Sequence, residues 1–476
     1  MVARLLADRG HRVCLLARPT DPRRALANSL PPSTLKLLAQ VGVADLVDAH
    51  GVRTYGNTVW WGDRDGHVNA FSGDGGAWGY QVDRARLDPD LLARAMTAGV
   101  AVKLDAPVVG VDWSEPATVR YTERGVPRRV HATLVFDCSG RAGVCAVPAG
   151  IRRHRAGGRM QALIGVWTRE AWAMDHASHT CIETWADGWA WSLPTDATAR
   201  HVGLMVDGLT SRVSRHASLE STYRARLSSV PRLRAHVDGA TLARVFACDA
   251  SVYDAAVYAR HNLLLVGDAG ATLNPLSSFG IKKALTSAWL ASIVGHTMLT
   301  LPERAPAARA FFSQWESQVF ATNLQRTREF ATEAQARHAS TFWDVQASLP
   351  VDTDALPLDE AALLSGPDVA AALAHLQTTD TCVLRRSAQA TFVSAPLVRR
   401  DVIALEDAVA LGPRPSDTVR YVRGIDLVAL ARLANGGDVG HALHAYQRAH
   451  GDAVPADLVG CLALLVARGV LTPHHA

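Results

Sequence analysis

At 476 residues, with hydrophobic residues at 48% and charged residues at 20%, the chain has material for two or three domains with full-sized cores. A net charge of +4 is small for this length, and the basic residues do not cluster with aromatics, so nucleic acid is excluded as a partner. No apolar run is long enough for a membrane span and no signal-peptide layout opens the chain; seven scattered cysteines without CxxC spacing point to a reducing cytoplasm.

Residues 2–8 read as a helix, Gly10 as its closing turn and 12–16 as a buried strand. Helix, glycine and strand in that order form the second half of a Rossmann βαβ unit. The first strand and the glycine-rich turn that would seat a pyrophosphate on the helix N-terminus are missing, for which a misassigned start site is the expected reason. Pro31, Pro32 and Ser33 open a helical stretch over 34–50. A strand at 58–61 and a Gly/Asp-rich loop at 73–76 follow. Val82-Asp83-Arg84 then precedes an amphipathic helix with Leu87, Leu91, Leu92 and Ala95 on one face.

Two short strands over 102–111 and 119–130 lead to an apolar strand at 133–136, which ends at Asp137-Cys138-Ser139-Gly140. Residues 159–206 are strand-rich, with Trp185, Trp189 and Trp191 in alternation. A second buried, parallel-type strand at 262–266 runs into Gly267-Asp268-Ala269-Gly270, and long helices cover 281 to about 340. After residue 380, strands at 391–393 and 402–405 precede amphipathic helices near 425–434, 439–450 and 456–468, a module of winged-helix-like composition.

The turn at Gly267 carries the most chemistry. A strand delivers its C-terminal end to a ligand, the glycines permit close backbone approach, and Asp268 accepts hydrogen bonds from sugar-like hydroxyls. Pro275 and Gly280 shape the loop beyond it. Gly280-Ile281 starts a helix whose N-terminus stabilises negative charge. By itself the turn is equally an ordinary strand-turn-helix junction. The second turn of the same kind at Asp137, otherwise a generic Asx turn, favours a flavin site.

In this order the motifs resemble the FAD-dependent monooxygenases of the para-hydroxybenzoate hydroxylase fold, in the branch that includes flavin-dependent halogenases, over about residues 1–340. The resemblance implies an α/β protein. It would have a Rossmann-like FAD-binding domain (1–154 and 256–340), a β-rich substrate domain (155–255), a helical connection (341–380) and a small, mainly helical C-terminal domain (381–476). It implies FAD contacts from Arg84, Asp137, Gly267, Asp268, Pro275, Gly280 and Ile281. The acidic residue that holds the adenosine ribose in the family falls at Ala17, beside Arg18, which is left to act through the pyrophosphate.

Trp189-Ala190-Trp191-Ser192-Leu193-Pro194 resembles the halogenase WxWxxP signature, and reads as two tryptophans on one strand face beside the flavin tunnel, with Phe279 completing the substrate lining. The halogenase glutamate would fall at Ser277 in Pro275-Leu276-Ser277-Ser278-Phe279-Gly280-Ile281, and the halogenase lysine at Thr54. With both groups missing, halogenation is set aside. The expected activity is hydroxylation of an aromatic group through a C4a-hydroperoxyflavin, with Ser277 or Ser278 at the ring as catalytic candidates or as structural loop residues. NAD(P)H docking transiently, or a partner flavin reductase, would supply electrons.

The segment from Ser277 to Leu285, with Ser287 and Trp289, resembles flavoproteins that modify tryptophan in a partner polypeptide during maturation of quinone-cofactor enzymes. It implies a tryptophan or tyrosine substrate on a polypeptide or carrier. Lys282 and Lys283 read as solvated first-turn lysines, or as neighbours of the flavin's anionic edge. His176 and His179 near Cys181 lack a fourth ligand, so no metal is expected. A flavin-dependent reductase of the geranylgeranyl type and a non-catalytic protein without FAD are the alternatives.

Overall fold

The computed structural model describes all residues except 19–25, 63–65, 72–76, 155–158, 173–176, 209–217, 278, 379–381, 389, 391, 452 and 476. The loop expected at 73–76 therefore lies outside the described residues. The chain divides into two compact units, Met1–Pro302 with Trp315–Val351, and Glu303–Gln314 with Asp352–Ala476.

The α/β character of the first unit follows the sequence. The helix Val2–Ala7 buries Val2, Leu5 and Leu6, and the strand Cys14–Leu16 pairs in parallel with Ala101–Lys103. A second parallel pair joins Val135–Asp137 to Leu263–Leu265. The long helix Gly280–Thr300 brings Leu285 into a core with Leu5, Leu30, Leu38, Val82 and Leu87. The stretch expected as one helix over 34–50 is two, Leu35–Gln40 and Ala44–His50, because Gly42 turns the chain at φ +63°.

A seven-stranded sheet forms the β-rich layer, in the order Thr241–Asp249, Met160–Thr168, Ala199–Asp207, Gly188–Pro194, Thr180–Trp185, Gly56–Trp60, His67–Ala70. Its last two strands come from the segment assigned by sequence to the FAD-binding part. The strand Gly56–Trp60 joins by parallel pairing with Thr180–Trp185. Both faces are buried at the central strands, whereas His67–Ala70 at one edge is exposed. Met160, Ile164, Trp189 and Met205 pack on one side with Trp61, Phe342 and Trp343, whereas Leu163, Ala190 and Leu204 pack on the other with Tyr223, Leu227 and Leu233.

The second unit has its own core. The helices Leu427–Ala434, Val439–His450 and Pro455–Ala467 lie close to the expected spans, and Asp426 and Asp438 cap the first two through the Ala429 and His441 N–H groups. Strands Val393–Arg399 and Val402–Ala410 form an antiparallel pair. Its main segment runs from Asp352, and the helix Pro367–Thr378 inserts Val369, Ala372 and Leu376 into this core with Leu458 and Leu462. Among the described residues, no single helix is long and apolar enough to cross a membrane.

Candidate functional site

Two neighbouring parallel strands bring the halves of the site together. Asp137 lies opposite Leu265 in register, and Val266 N–H donates to the Asp137 carbonyl at 2.9 Å. Both glycine-containing turns therefore leave the C-terminal ends of adjacent strands, where α/β sheets bind ligands.

The buried Asp137 carboxylate belongs to its own turn. Oδ1 accepts from Ser139 N–H at 3.0 Å and from the Ser139 hydroxyl at 2.6 Å, and Oδ2 accepts from Cys145 N–H at 2.8 Å. The Asp137 carboxylate thus shapes its own turn, with both oxygens already accepting from it.

The second turn is a short 3-10 helix, Gly267–Ala269, with Gly267 at φ +61°. A side chain enters that left-handed region only at a cost. Tyr253 donates its hydroxyl hydrogen to the Asp268 carbonyl at 2.7 Å, and the Arg152 guanidinium lies 4.0 Å from the Tyr253 ring centroid. Arg152 in turn donates to the carbonyl of Arg141, from the first turn, at 2.7 Å. Tyr253, Arg141 and Arg152 thus tie the two turns together, a role no local pattern announced.

Lys283 is neither solvated nor at an open edge. Its buried Nζ donates to the carbonyls of Gly267 and Ala271, both at 2.6 Å, and lies 3.7 Å from Glu316 Oε2. Ser287 accepts from Gly267 N–H at 2.9 Å and donates to Glu316 Oε1. Burial pushes the Glu316 carboxyl up, and Lys283 and Ser287 draw it back. The signal available in the sequence was the four-residue spacing of Lys283 and Ser287, which places them on one helix face. Lys282 points elsewhere, 2.8 Å from Ser33 Oγ and 5.1 Å from the Phe279 ring centroid.

The helix that starts at Gly280 and Ile281 has Phe279 at its N-cap, no side-chain cap among the described residues and no acidic residue in its first turn. Among the described residues no side chain accepts from its leading N–H groups. Pro275 opens the 3-10 turn Pro275–Ser277, and Leu276 packs against the sheet cluster that contains Trp189 and Trp191. Ser278 lies outside the described residues, as does the Ser277 side chain.

Trp189 is 2% exposed and is core, which corrects its expected place in a substrate lining. Trp191 and Phe279 are partly exposed. Gly203 lies opposite Trp191, where a Cβ would stand 2.3 Å from the indole Cε2.

The remaining expected contacts are spread out. The Arg84 guanidinium forms a fork to Asp88 at 2.5 and 2.6 Å, and Arg18 is exposed beyond the strand Cys14–Leu16. Among the described residues, neither arginine hydrogen-bonds to either turn. Thr54 is fully buried and donates to the Gly56 carbonyl at 3.1 Å. His179 Nδ1 lies 3.1 Å from Thr58 Oγ1, while His176 is outside the described residues.

The arrangement fits the ribityl chain and ring of a flavin. Asp268 is half-buried with no ion-pair partner among the described residues, which suits ribityl hydroxyls. The uncapped N–H groups at Gly280 and Ile281 suit the anionic edge of a ring.

Comparison with known proteins agrees with this fit. The model of the FAD binding domain family matches residues 1–292. A tryptophan 2-halogenase from Chondromyces crocatus is 26% identical over 360 residues, covering 72% of this chain and 67% of that one. Relatives from Armillaria mellea and Acremonium egyptiacum, of whose lengths the match spans 61% and 64%, are named flavin-dependent halogenases. In fold, the flavin-dependent halogenase CmlS matches with a TM-score of 0.79 over 100% of this chain and 94% of its own, at 21% identity. The peptidyl tryptophan dihydroxylase QhpG matches at 0.69 over 98% and 96%, at 20% identity.

These relatives overturn the exclusion of halogenation drawn from Ser277 and Thr54. That exclusion rested on two positions placed by spacing along a loop and a strand end, where a shift of one residue changes the side chain in question.

Proposed function

We propose, from the premise that this chain belongs to the FAD binding domain family, that it is an FAD-dependent enzyme that oxidatively modifies an aromatic group, with hydroxylation as its principal chemistry. The observation that carries this reading is the packing of Leu276, from the loop after the flavin turn, into the cluster of Trp189 and Trp191. The partly exposed Trp191 packs against the same cluster, which supports an aromatic surface near the segment that leads to the helix at Gly280.

FAD, once bound and reduced, supplies the oxidising chemistry by activating dioxygen. The chain's own residues do the rest. Asp268 anchors the cofactor, the N–H groups of Gly280 and Ile281 favour negative charge beside it, and Trp191 and Phe279 orient an aromatic ring and exclude water. The likeness to a peptidyl tryptophan dihydroxylase across 98% of the chain supports a tryptophan or tyrosine carried on a polypeptide or carrier protein. Electrons come from NAD(P)H or from a separate flavin reductase. Halogenation is the second reading, favoured by the names of the relatives.

The test is a product assay with chemically reduced FAD, dioxygen and tryptophan-containing peptides, with and without chloride or bromide. Added oxygen in the product supports hydroxylation. Replacement of hydrogen by halogen selects the second reading. Absence of any modified peptide in every arm overturns both.

A further inference from the structure

Lys283 spans the flavin turn. Its two hydrogen bonds end on the carbonyls of Gly267 and Ala271, on either side of the segment that carries Asp268. Ser287 holds the N–H side of Gly267 and passes its own hydrogen to Glu316. Two side chains of the helix Gly280–Thr300 therefore fix both ends of the loop 267–271, and Glu316 from the helix Ala305–Gln335 holds those two side chains.

The side chains of Lys283 and Glu316 are 2% and 0% exposed. Desolvating two such charges commonly offsets their attraction, so packed apolar residues would hold the fold as well. An apolar side chain has no donors, however, and cannot hold two carbonyls at a set separation. What the pair adds is geometry at the turn. The same field reaches the acid on the turn, since Asp268 adds to the upward push on the Glu316 carboxyl.

We infer that Lys283, Ser287 and Glu316 are positioning residues for FAD, holding the Asp268 turn in the shape that receives the cofactor's hydroxyls. The inference rests on the reading of the chain as an FAD protein and adds which residues pre-organise its site.

The experiment compares wild type, Lys283→Met, Lys283→Met/Glu316→Leu and Ser287→Ala. It reads the FAD dissociation constant by flavin fluorescence and the unfolding midpoint of the apoprotein. Lys283→Met alone should lose both stability and affinity, because it strands a buried carboxylate. The double variant should regain apoprotein stability yet bind FAD about ten-fold more weakly. A purely structural pair would return affinity together with stability, and that result overturns the inference. If the double variant does not fold, Ser287→Ala decides: several-fold weaker FAD supports the inference, and an unchanged constant overturns it. A wild-type protein that takes up no FAD defeats the cofactor reading itself, an outcome distinct from the other two.

Discussion

Val266 N–H donates to the Asp137 carbonyl at 2.9 Å, one step beyond the register pair Asp137–Leu265. That bond joins two loops that lie far apart in sequence. Neither has the means to form a site alone: one supplies a rigid Asx turn, the other an acid without an ion-pair partner among the described residues.

Asp268→Ala should weaken FAD binding by about ten-fold to a hundred-fold, the range expected when one charge-assisted hydrogen bond is lost. The apoprotein should unfold at nearly the wild-type temperature, since what holds this residue within the fold is its backbone carbonyl, bonded to Tyr253. Flavin titration and a melting curve measure both. A large drop in melting temperature would assign Asp268 to the fold instead.

Asp137→Ala should behave in the opposite way. Its carboxylate satisfies Ser139 N–H, the Ser139 hydroxyl and Cys145 N–H, so its loss leaves a buried donor unpaired and costs about 1–3 kcal/mol. Urea unfolding of the apoprotein reads this directly. An unchanged midpoint would show that the turn holds without its cap.

Gly203→Ala would set a Cβ 2.3 Å from Trp191 Cε2, so the indole must move. Overpacking of this kind costs about 1–3 kcal/mol. The expected functional effect is a raised KM for the aromatic substrate with the FAD constant unchanged. Steady-state kinetics beside flavin titration separates the two, and a shift confined to FAD binding would place Trp191 elsewhere.

Acid should weaken the first unit through His201. Burial, with a smaller contribution from Arg244, holds its imidazole down to about 4 against the ordinary 6.5. The unfolded chain therefore takes up the proton first. The stability linked to the neutral ring is complete above pH 6.5 and is lost as pH falls toward 4, by about 3 kcal/mol in all. His201→Gln should flatten the dependence of the urea midpoint on pH in this window. A slope identical to wild type would remove His201 from the account.

Much of the site was legible because turns have local causes. Gly267 and Asp268 end an apolar strand, and a glycine at that position permits the left-handed backbone observed there. Gly280 and Ile281 start a long helix where the sequence placed one. The break at Gly42 shows the same locality missed: its glycine was in view, but the apolar periodicity on both sides read as one helix. That the strand Gly56–Trp60 joins the β-rich sheet was not legible, since sheet membership depends on its partner, Thr180–Trp185.

What the sequence determined by itself was the order and character of the elements. These included two strand-end turns, an apolar sheet and a helix following the second turn, all set by backbone preference and hydrophobic period within a few residues. Only the tertiary structure decided which side chains serve the site. Asp137 turned inward to its own amides, Trp189 became core, and Lys283 was buried against a glutamate from another helix. The physical reason is that burial and charge pairing are settled by groups distant along the chain, and nothing around Lys283 in the sequence announces Glu316.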